Sequence, residues 1–428
     1  MTPVRLRQAW ADLMASFWLR PSAMTVVAIL LAAGLVGAEG AVDLPDWLAA
    51  LVYAGGTAGA RDVLGTVAGA TIGVAGTTFS ITVAALTLAS NQMGPRLLRN
   101  FTRDPGNQYA LGAFLATFAY ALVALRSVHE AEEGAFVPQI AVSVGLLMAF
   151  GCVGVLIWFL HHVATSISVD RVVALVHRDL AAALDEVVDD GAPLPPAPRP
   201  EAGAATLTAP GSGYLRVLDE DALADWAADQ GALVWLRVRP GDFVFAGTEV
   251  AEVMPARLRA EAQDLIGQAL SLGDARSIEQ DLEFAVRQLV EIALRALSPG
   301  INDPFTAIAV LDRLGAALCD IAGRSLPSTQ VQRAGRTRLV RPVTDYPGLV
   351  DAMFHMLRQA ASTQPAVVIR LLEVLTSVAT VERDPARRAV LRGHLDLARD
   401  AGFAGTADAA ARQALVARHA AALALLRG

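Results

Sequence analysis

Apolar residues are unevenly spread along the chain, and this sets the first division of the molecule. Four long apolar runs fall in the first 165 residues: Pro21–Ala38, Val63–Pro95, Pro105–Leu125 and Gly134–Leu160. Each is bracketed by polar ends, namely Arg20 and Glu39, Asp62 and Arg96, Asp104 and Arg126, and Glu133 and His161. Crossing a bilayer takes about 20 apolar residues of helix. The pattern predicts an integral membrane α-helical domain over 1–165, with spans at about 21–38, 63–93, 105–125 and 136–160. The stretch 47–60 is too short to cross, and its Trp47 and Tyr53 suit an interfacial or re-entrant segment.

Behind the spans the periodicity changes. Residues 166–190 repeat apolar positions at helical spacing (Ile167, Val172, Leu175, Val176, Leu180, Leu184) and read as a cytoplasmic helix continuing span four. Pro193, Pro195, Pro196, Pro198 and Pro200 make 191–210 a Pro/Ala-rich linker. Residues 211–254 turn to β texture: strands at 213–218, 232–239, 243–245 and 249–253, with a short helix at 219–230. Residues 255–428 read as mostly helical, with a helix at 275–297 and a basic hairpin at 331–342 turning at Ala334-Gly335. The fold class is thus four transmembrane helices plus a cytoplasmic α+β domain with a helical C-terminal region.

Arginines orient the spans. Arg5, Arg7 and Arg20 precede span one, Arg96, Arg99 and Arg103 link spans two and three, and Arg171 and Arg178 follow span four. The other links carry Glu39, Asp43, Asp46, Glu130, Glu132 and Glu133, with Arg61 and Arg126 as exceptions. The positive-inside rule puts both termini in the cytoplasm. The first span is expected to be retained rather than cleaved as a signal peptide.

Span two is unusual. Gly65, Gly69 and Gly73 recur every four residues, spacing that lets helices approach closely in lipid. Beside them Thr66, Ala70, Gly73, Thr77, Ser80, Ala84, Thr87 and Asn91 form a second row, all on one face and all small. Two readings stand: a tight helix seam with hydroxyls bonded back to the helix, or a pore wall built from one such helix per subunit. Both hold if the seam lies between subunits. Arg96, Arg99 and Arg103 at its cytoplasmic end read as topology signal, lipid contact or a basic mouth.

Composition narrows the chemistry. The chain is 54% hydrophobic and 18% charged, with net charge −7, so nothing favours nucleic acid. Its basic residues are all arginine, which excludes a P-loop lysine, a Schiff-base lysine and a biotinyl or lipoyl attachment lysine. Two cysteines, Cys152 and Cys319, lack zinc spacing, and His161 and His162 lack a visible partner cluster, so no metal is expected. Dinucleotide, Walker, HExxH and GxSxG motifs are absent, and no paired carboxylates sit in an apolar setting; neither enzyme activity nor a cofactor is expected. Glu283/Arg287 and Glu291/Arg295 read as ordinary i,i+4 surface pairs. Ser298, Asn302 and Asp303 form a polar corner that either joins two helices or binds something. Arg333, Arg336, Arg338 and Arg341 on the hairpin read as solvated edge charge or as a surface for an acidic partner or anionic lipid.

Two resemblances follow from particular residues. The stretch 238–250, with the turn Pro240-Gly241-Asp242 and then Gly247, resembles the turn-and-strand signature of biotinyl/lipoyl-type modules. Without a lysine it implies structure rather than carriage. The segment from Ala89 to Phe101, with Asp104, Asn107 and Gln108, and the segment from Leu297 to Pro304, with Thr306 and Ala307, resemble a bacterial family of predicted membrane proteins, domain-of-unknown-function family twenty-two fifty-four. Gly213-Tyr214 and Pro240-Gly241-Asp242 fit it too; Gly94 stands where that family often has serine. The resemblance implies a bacterial inner-membrane location. The expectation that results is a homo-oligomeric channel or transport-like protein, in contact with the lipid bilayer and with ions; the alternative is a membrane-anchored, non-conducting scaffold or sensor.

Overall fold

The computed structural model describes residues 16–39, 52–93, 104–131, 134–166, 168–188, 197–200, 203–277 and 280–427. It divides into two compact units, one ending at Ser168 and one running from Val169 to the C-terminus.

The first unit holds four helices long and apolar enough to cross a membrane. They are α1 (Leu19–Gly37), α2 (Thr57–Met93), α3 (Pro105–Ser127) and α4 (Gln139–Ser166), with a short hairpin of β1 (His129–Ala131) and β2 (Gly134–Phe136) between α3 and α4. Helix α2 starts at Thr57 and so absorbs the end of the stretch expected at the interface; residues 47–51 of that stretch lie outside the described residues. At 37 residues it is about 55 Å long, well over the ~30 Å hydrocarbon core.

Helix α3 is the hub, in contact with α1, α2 and α4. Its side chains explain why. Gly112 lets α1 come close: a Cβ there would lie 2.6 Å from the Met24 sulfur and 3.2 Å from the Pro21 Cα. Tyr120, fully buried, donates its hydroxyl to the Ala141 carbonyl at 2.9 Å and so fastens α3 to α4. Thr117 donates to the Ala113 carbonyl of its own helix and meets Cys152 of α4 at 3.2 Å.

The second unit opens with α5 (Val169–Val187), whose buried stripe is Val172, Val173, Val176, Leu180 and Leu184. Strands then build two sheets. The strands are β3 (Ala205–Thr208), β4 (Gly213–Leu218), β5 (Leu233–Leu236), β6 (Phe243–Val244), β7 (Glu249–Met254), β8 (Leu270–Gly273), β9 (Gln330–Arg333) and β10 (Arg336–Val340). The five-stranded sheet runs β3-β7-β5-β10-β9, antiparallel except for β10 beside β5; the three-stranded sheet runs β6-β4-β8. Helices α6 (Glu220–Asp229) and α7 (Arg259–Ala269) cover a core of Leu215, Leu223, Val234, Val250, Ile266 and Leu339. The remaining helices are α8 (Leu282–Ala296), α9 (Pro304–Asp320), α10 (Tyr346–Ala360), α11 (Pro365–Val381), α12 (Pro385–Gly405) and α13 (Ala409–Arg427).

The β region departs from expectation in three places. Residues 211–254 do not close on themselves as a biotinyl/lipoyl-type module. Their strands are shared between two sheets, completed by β3, which lies inside the expected linker, by β8, and by the distant β9–β10 hairpin. That hairpin turns at Ala334 and Gly335, both at positive φ, as the dipeptide suggests. Helix α8 starts at Leu282, not near 275, because the Asp281 carboxylate accepts the Phe284 amide at 3.1 Å and caps it there. Part of the hairpin charge is neutralised at home: Arg333 pairs with Asp221 and Asp225 and Arg341 with Glu220, while Arg338 keeps its charge and donates to the Ala232 carbonyl.

Gly241 packs where no side chain fits. Its φ is +96°, and a Cβ would fall 2.3 Å from the Asp281 carboxylate and 2.5 Å from the Arg276 guanidinium. Gly241→Ala is therefore expected to destabilise this unit by about 2 kcal/mol or more. A thermal denaturation midpoint equal to wild type would contradict that packing.

Candidate functional site

Helix α2 has two opposite faces. Leu64, Val67, Ala68, Thr71, Ala75, Thr78 and Thr82 are buried, at steps of three and four residues that keep them on one side. That side meets α3 and α4. Opposite it, Thr66, Ala70, Gly73, Thr77, Ser80, Ala84 and Thr87 are all exposed within the chain. Asn91 lies on α2, with its side chain outside the described residues. A Cβ added at Gly65, Gly69, Gly73 or Gly76 would meet nothing within 4 Å, so the glycine row makes no close contact with the described residues.

The hydroxyls of this face are settled locally. Thr77 donates to the Gly73 carbonyl at 3.1 Å, Ser80 to Gly76 at 2.9 Å and Thr87 to Val83 at 2.9 Å. Each hydroxyl spends its one proton on its own helix and keeps acceptor lone pairs. The outward faces of the neighbours differ in kind. Helix α1 exposes Val26, Val27 and Leu30, and α4 exposes Leu147, Phe150 and Ile157, all bulky and suited to lipid. A groove of about 310 Å³ flanks the small face, lined by Thr66, Ala70, Phe114, Phe150 and Cys152 among others.

A polar cluster closes one end of the bundle. Asp104 accepts the Gly106 amide at 3.1 Å as the cap of α3, and its other oxygen pairs with the His162 Nε2 of α4 at 2.5 Å. Trp158 stacks on His162 at 4.9 Å. Gly106 makes room for the ring, since a Cβ there would lie 2.5 Å from Nε2. Arg20 of α1 donates to the Gln108 side chain at 3.1 Å. The sequence shows His162 without a partner because Asp104 is 58 residues away; the Asp-Pro pair that opens α3 is the one local signal. Among the described residues no three His, Cys, Asp or Glu side chains gather as metal ligands.

The remaining sequence candidates fall elsewhere. Arg96, Arg99 and Arg103 lie outside the described residues. Ser298, Asn302 and Asp303 belong to the second unit and spend their side chains on a helix corner. Ser298 donates to the Arg295 carbonyl at 2.6 Å, and Asn302, at φ 50°, accepts from Gln364 at 2.9 Å. Asp303 caps α9 through the Phe305 and Thr306 amides at 3.0 and 3.2 Å. The Thr306 hydroxyl, with those amides behind it, holds the Asp303 carboxyl below the usual carboxylate range.

The second unit also holds a polar cavity of about 540 Å³, lined by Glu186, Glu220, Arg239, Asp281, Arg341 and Thr344 among others. Glu283, beside it, is buried rather than a surface residue: it takes Arg239 at 2.5 Å and Arg287 at 2.8 Å. Burial pushes its carboxyl up, but the two guanidiniums outweigh this and hold it below the usual range. Asp281 is the reverse case. Burial raises it above the usual range in spite of the Arg276 contact at 2.7 Å, so one carboxyl does sit in the desolvated setting that the sequence did not reveal.

The family model described as Predicted membrane protein (DUF2254) matches residues 14–377. Uncharacterized proteins of Mycobacterium tuberculosis and of Mycobacterium bovis are each 34% identical to this chain over 403 residues, covering 91% of it and 77% of the relative. No solved structure matches the chain.

The two kinds of glycine make opposite forecasts. Gly112→Leu forces α1 off α3 and is expected to cost about 1–3 kcal/mol. Gly69→Leu points into open space and is expected to change protomer stability by no more than about 0.5 kcal/mol. Thermal unfolding of the two variants in detergent checks this, and equal losses would contradict the assignment of faces.

Proposed function

The chain belongs to this family of predicted membrane proteins, and on that premise we propose that it works as a homo-oligomeric channel or transport-like protein of the bacterial inner membrane. In this reading both termini are cytoplasmic, α2 forms the central seam between copies, and the second unit assembles or regulates it.

One observation carries the reading. Among the described residues the small, hydroxylated stripe of α2 has no packing partner, while α1, α4 and the flanking Ile72, Phe79 and Val83 of α2 show lipid the bulky apolar side chains it accommodates. A row of Gly, Ala, Ser and Thr gains little against loose acyl chains but packs closely against another helix. A second copy of α2 is the surface that matches it. If several copies surround an axis, the outward lone pairs of Thr77, Ser80 and Thr87 supply acceptors for water and cations, and hydroxyl-lined pores use such groups. Arg96, Arg99 and Arg103 in the link after α2 suit a basic mouth or contact with anionic lipid headgroups on the cytoplasmic side.

A second reading keeps the assembly and drops the conduction. The hydroxyls are already bonded to their own helix, as a dry seam requires, and more than half of the chain lies in the second unit. That arrangement suits a membrane-anchored scaffold or sensor.

Ion flux separates the two. Purified protein in liposomes is expected to pass small cations. Thr77→Trp or Ser80→Trp is expected to reduce the flux at least about tenfold if the face lines the pathway. Flux absent for every ion and voltage, with the oligomer intact, would favour the scaffold. A monomer in native mass spectrometry would overturn the seam itself.

A further inference from the structure

Helix α5 is the segment through which the chain passes from the last apolar helix into the second unit, and its docking contains one ionisable group in an awkward place. Its apolar stripe packs against α8 and α9. Its C-terminal turn is tied by Asp185, which pairs with Arg324 just beyond α9 at 2.9 Å. His177 sits on the same helix, half-buried, and its Nδ1 is shielded from solvent with no hydrogen-bond partner.

The geometry makes the two charge states of this ring unequal. In the neutral ring with its proton on Nε2, the isolated Nδ1 is an uncharged lone pair. In the imidazolium form the same isolated atom carries a proton and a share of a full positive charge, and burying an unpaired charge costs more than burying an unpaired neutral atom. The surrounding charges add to this. On α9 the ring faces Arg313, a like charge for the imidazolium, and Asp320, which opposes it more weakly. On its own helix Arg178 lies beside Asp179. The charges of α8 are paired, Glu283 with Arg287 and with Arg239, and Glu291 with Arg295. Burial first, and Arg313 after it, holds the ring below the ordinary histidine range. A histidine whose folded value is depressed favours the folded arrangement above its unfolded value, and this favour is lost as pH falls.

We propose that His177 is a proton-operated catch on α5: neutral, it lets the helix dock on α9; protonated, it loosens the helix where the chain leaves the membrane-embedded unit. The device makes the link between the two units responsive to acidification on the side the second unit faces. It stands whether or not the protein conducts.

The test is hydrogen exchange of α5 peptides in the full-length protein in detergent, between about pH 7.5 and pH 5.5, with intrinsic rates corrected. Wild-type α5 is expected to lose protection at least about threefold across this range, while peptides of α11, which carries no histidine, serve as an internal reference. His177→Gln is expected to abolish the pH dependence of α5, and His177→Leu does the same if the amide itself disturbs packing. His177→Arg, charged throughout, is expected to leave α5 loosened at both ends of the range. Identical pH dependence in wild type and both neutral variants would overturn the proposal, as would full protection of α5 in His177→Arg.

Discussion

Hydrocarbon offers no hydrogen bonds, and most of the first unit follows from that constraint. Backbone groups are met by making the four apolar segments helical. Five hydroxyls of α2 are met by turning back on the helix, those of Thr71, Thr77, Ser80, Thr82 and Thr87, while the buried Thr78 hydroxyl finds no partner. Stronger polar groups are moved to the end of the bundle and paired there, Asp104 with His162 and Arg20 with Gln108. With polarity so disposed, what distinguishes one helix face from another is side-chain size. By that measure α2 is mixed: its inner face is packed like any core, and its exposed side carries the small stripe from Thr66 to Thr87 beside the bulky Ile72, Phe79, Val83 and Leu88, where α1 and α4 expose bulky residues without such a stripe.

The second unit handles polarity differently. Its charges are brought together around the cavity and settled in pairs, so that Arg239, Arg287 and Glu283 make one network and Arg276 and Asp281 another. Gly241 is the point at which the backbone crosses that network closely enough to exclude a side chain. Helix α5 joins this unit by an apolar stripe and carries a half-buried histidine whose Nδ1 has no hydrogen-bond partner.

Local periodicity made much of this legible. The apolar runs gave the four helices to within a few residues at most ends, and strand β4 was readable at its full length because its residues pack on a half-buried surface. What escaped was long-range. Strand β5 pairs with Leu339 and Val340 of β10, which no local pattern announces, and so the expected compact β-module proved to be part of two larger sheets. Helix α8 is shorter than the expected 275–297 because the Asp281 carboxylate caps it at Leu282. Glu283 looked solvated because its i,i+4 partner was visible and Arg239, 44 residues away, was not. The small face of α2 was legible as a face; which side of the helix the bundle would bury was not.

The central claim is that copies meet along the small face of α2. Disulfide trapping in native membranes tests it most directly, with Cys152→Ala and Cys319→Ala as background and a mild oxidant added. A cysteine placed at Thr77 is expected to cross-link two copies rapidly, and one placed at Val27 on α1 is not. Equal trapping at both positions, or none at Thr77, would contradict the account.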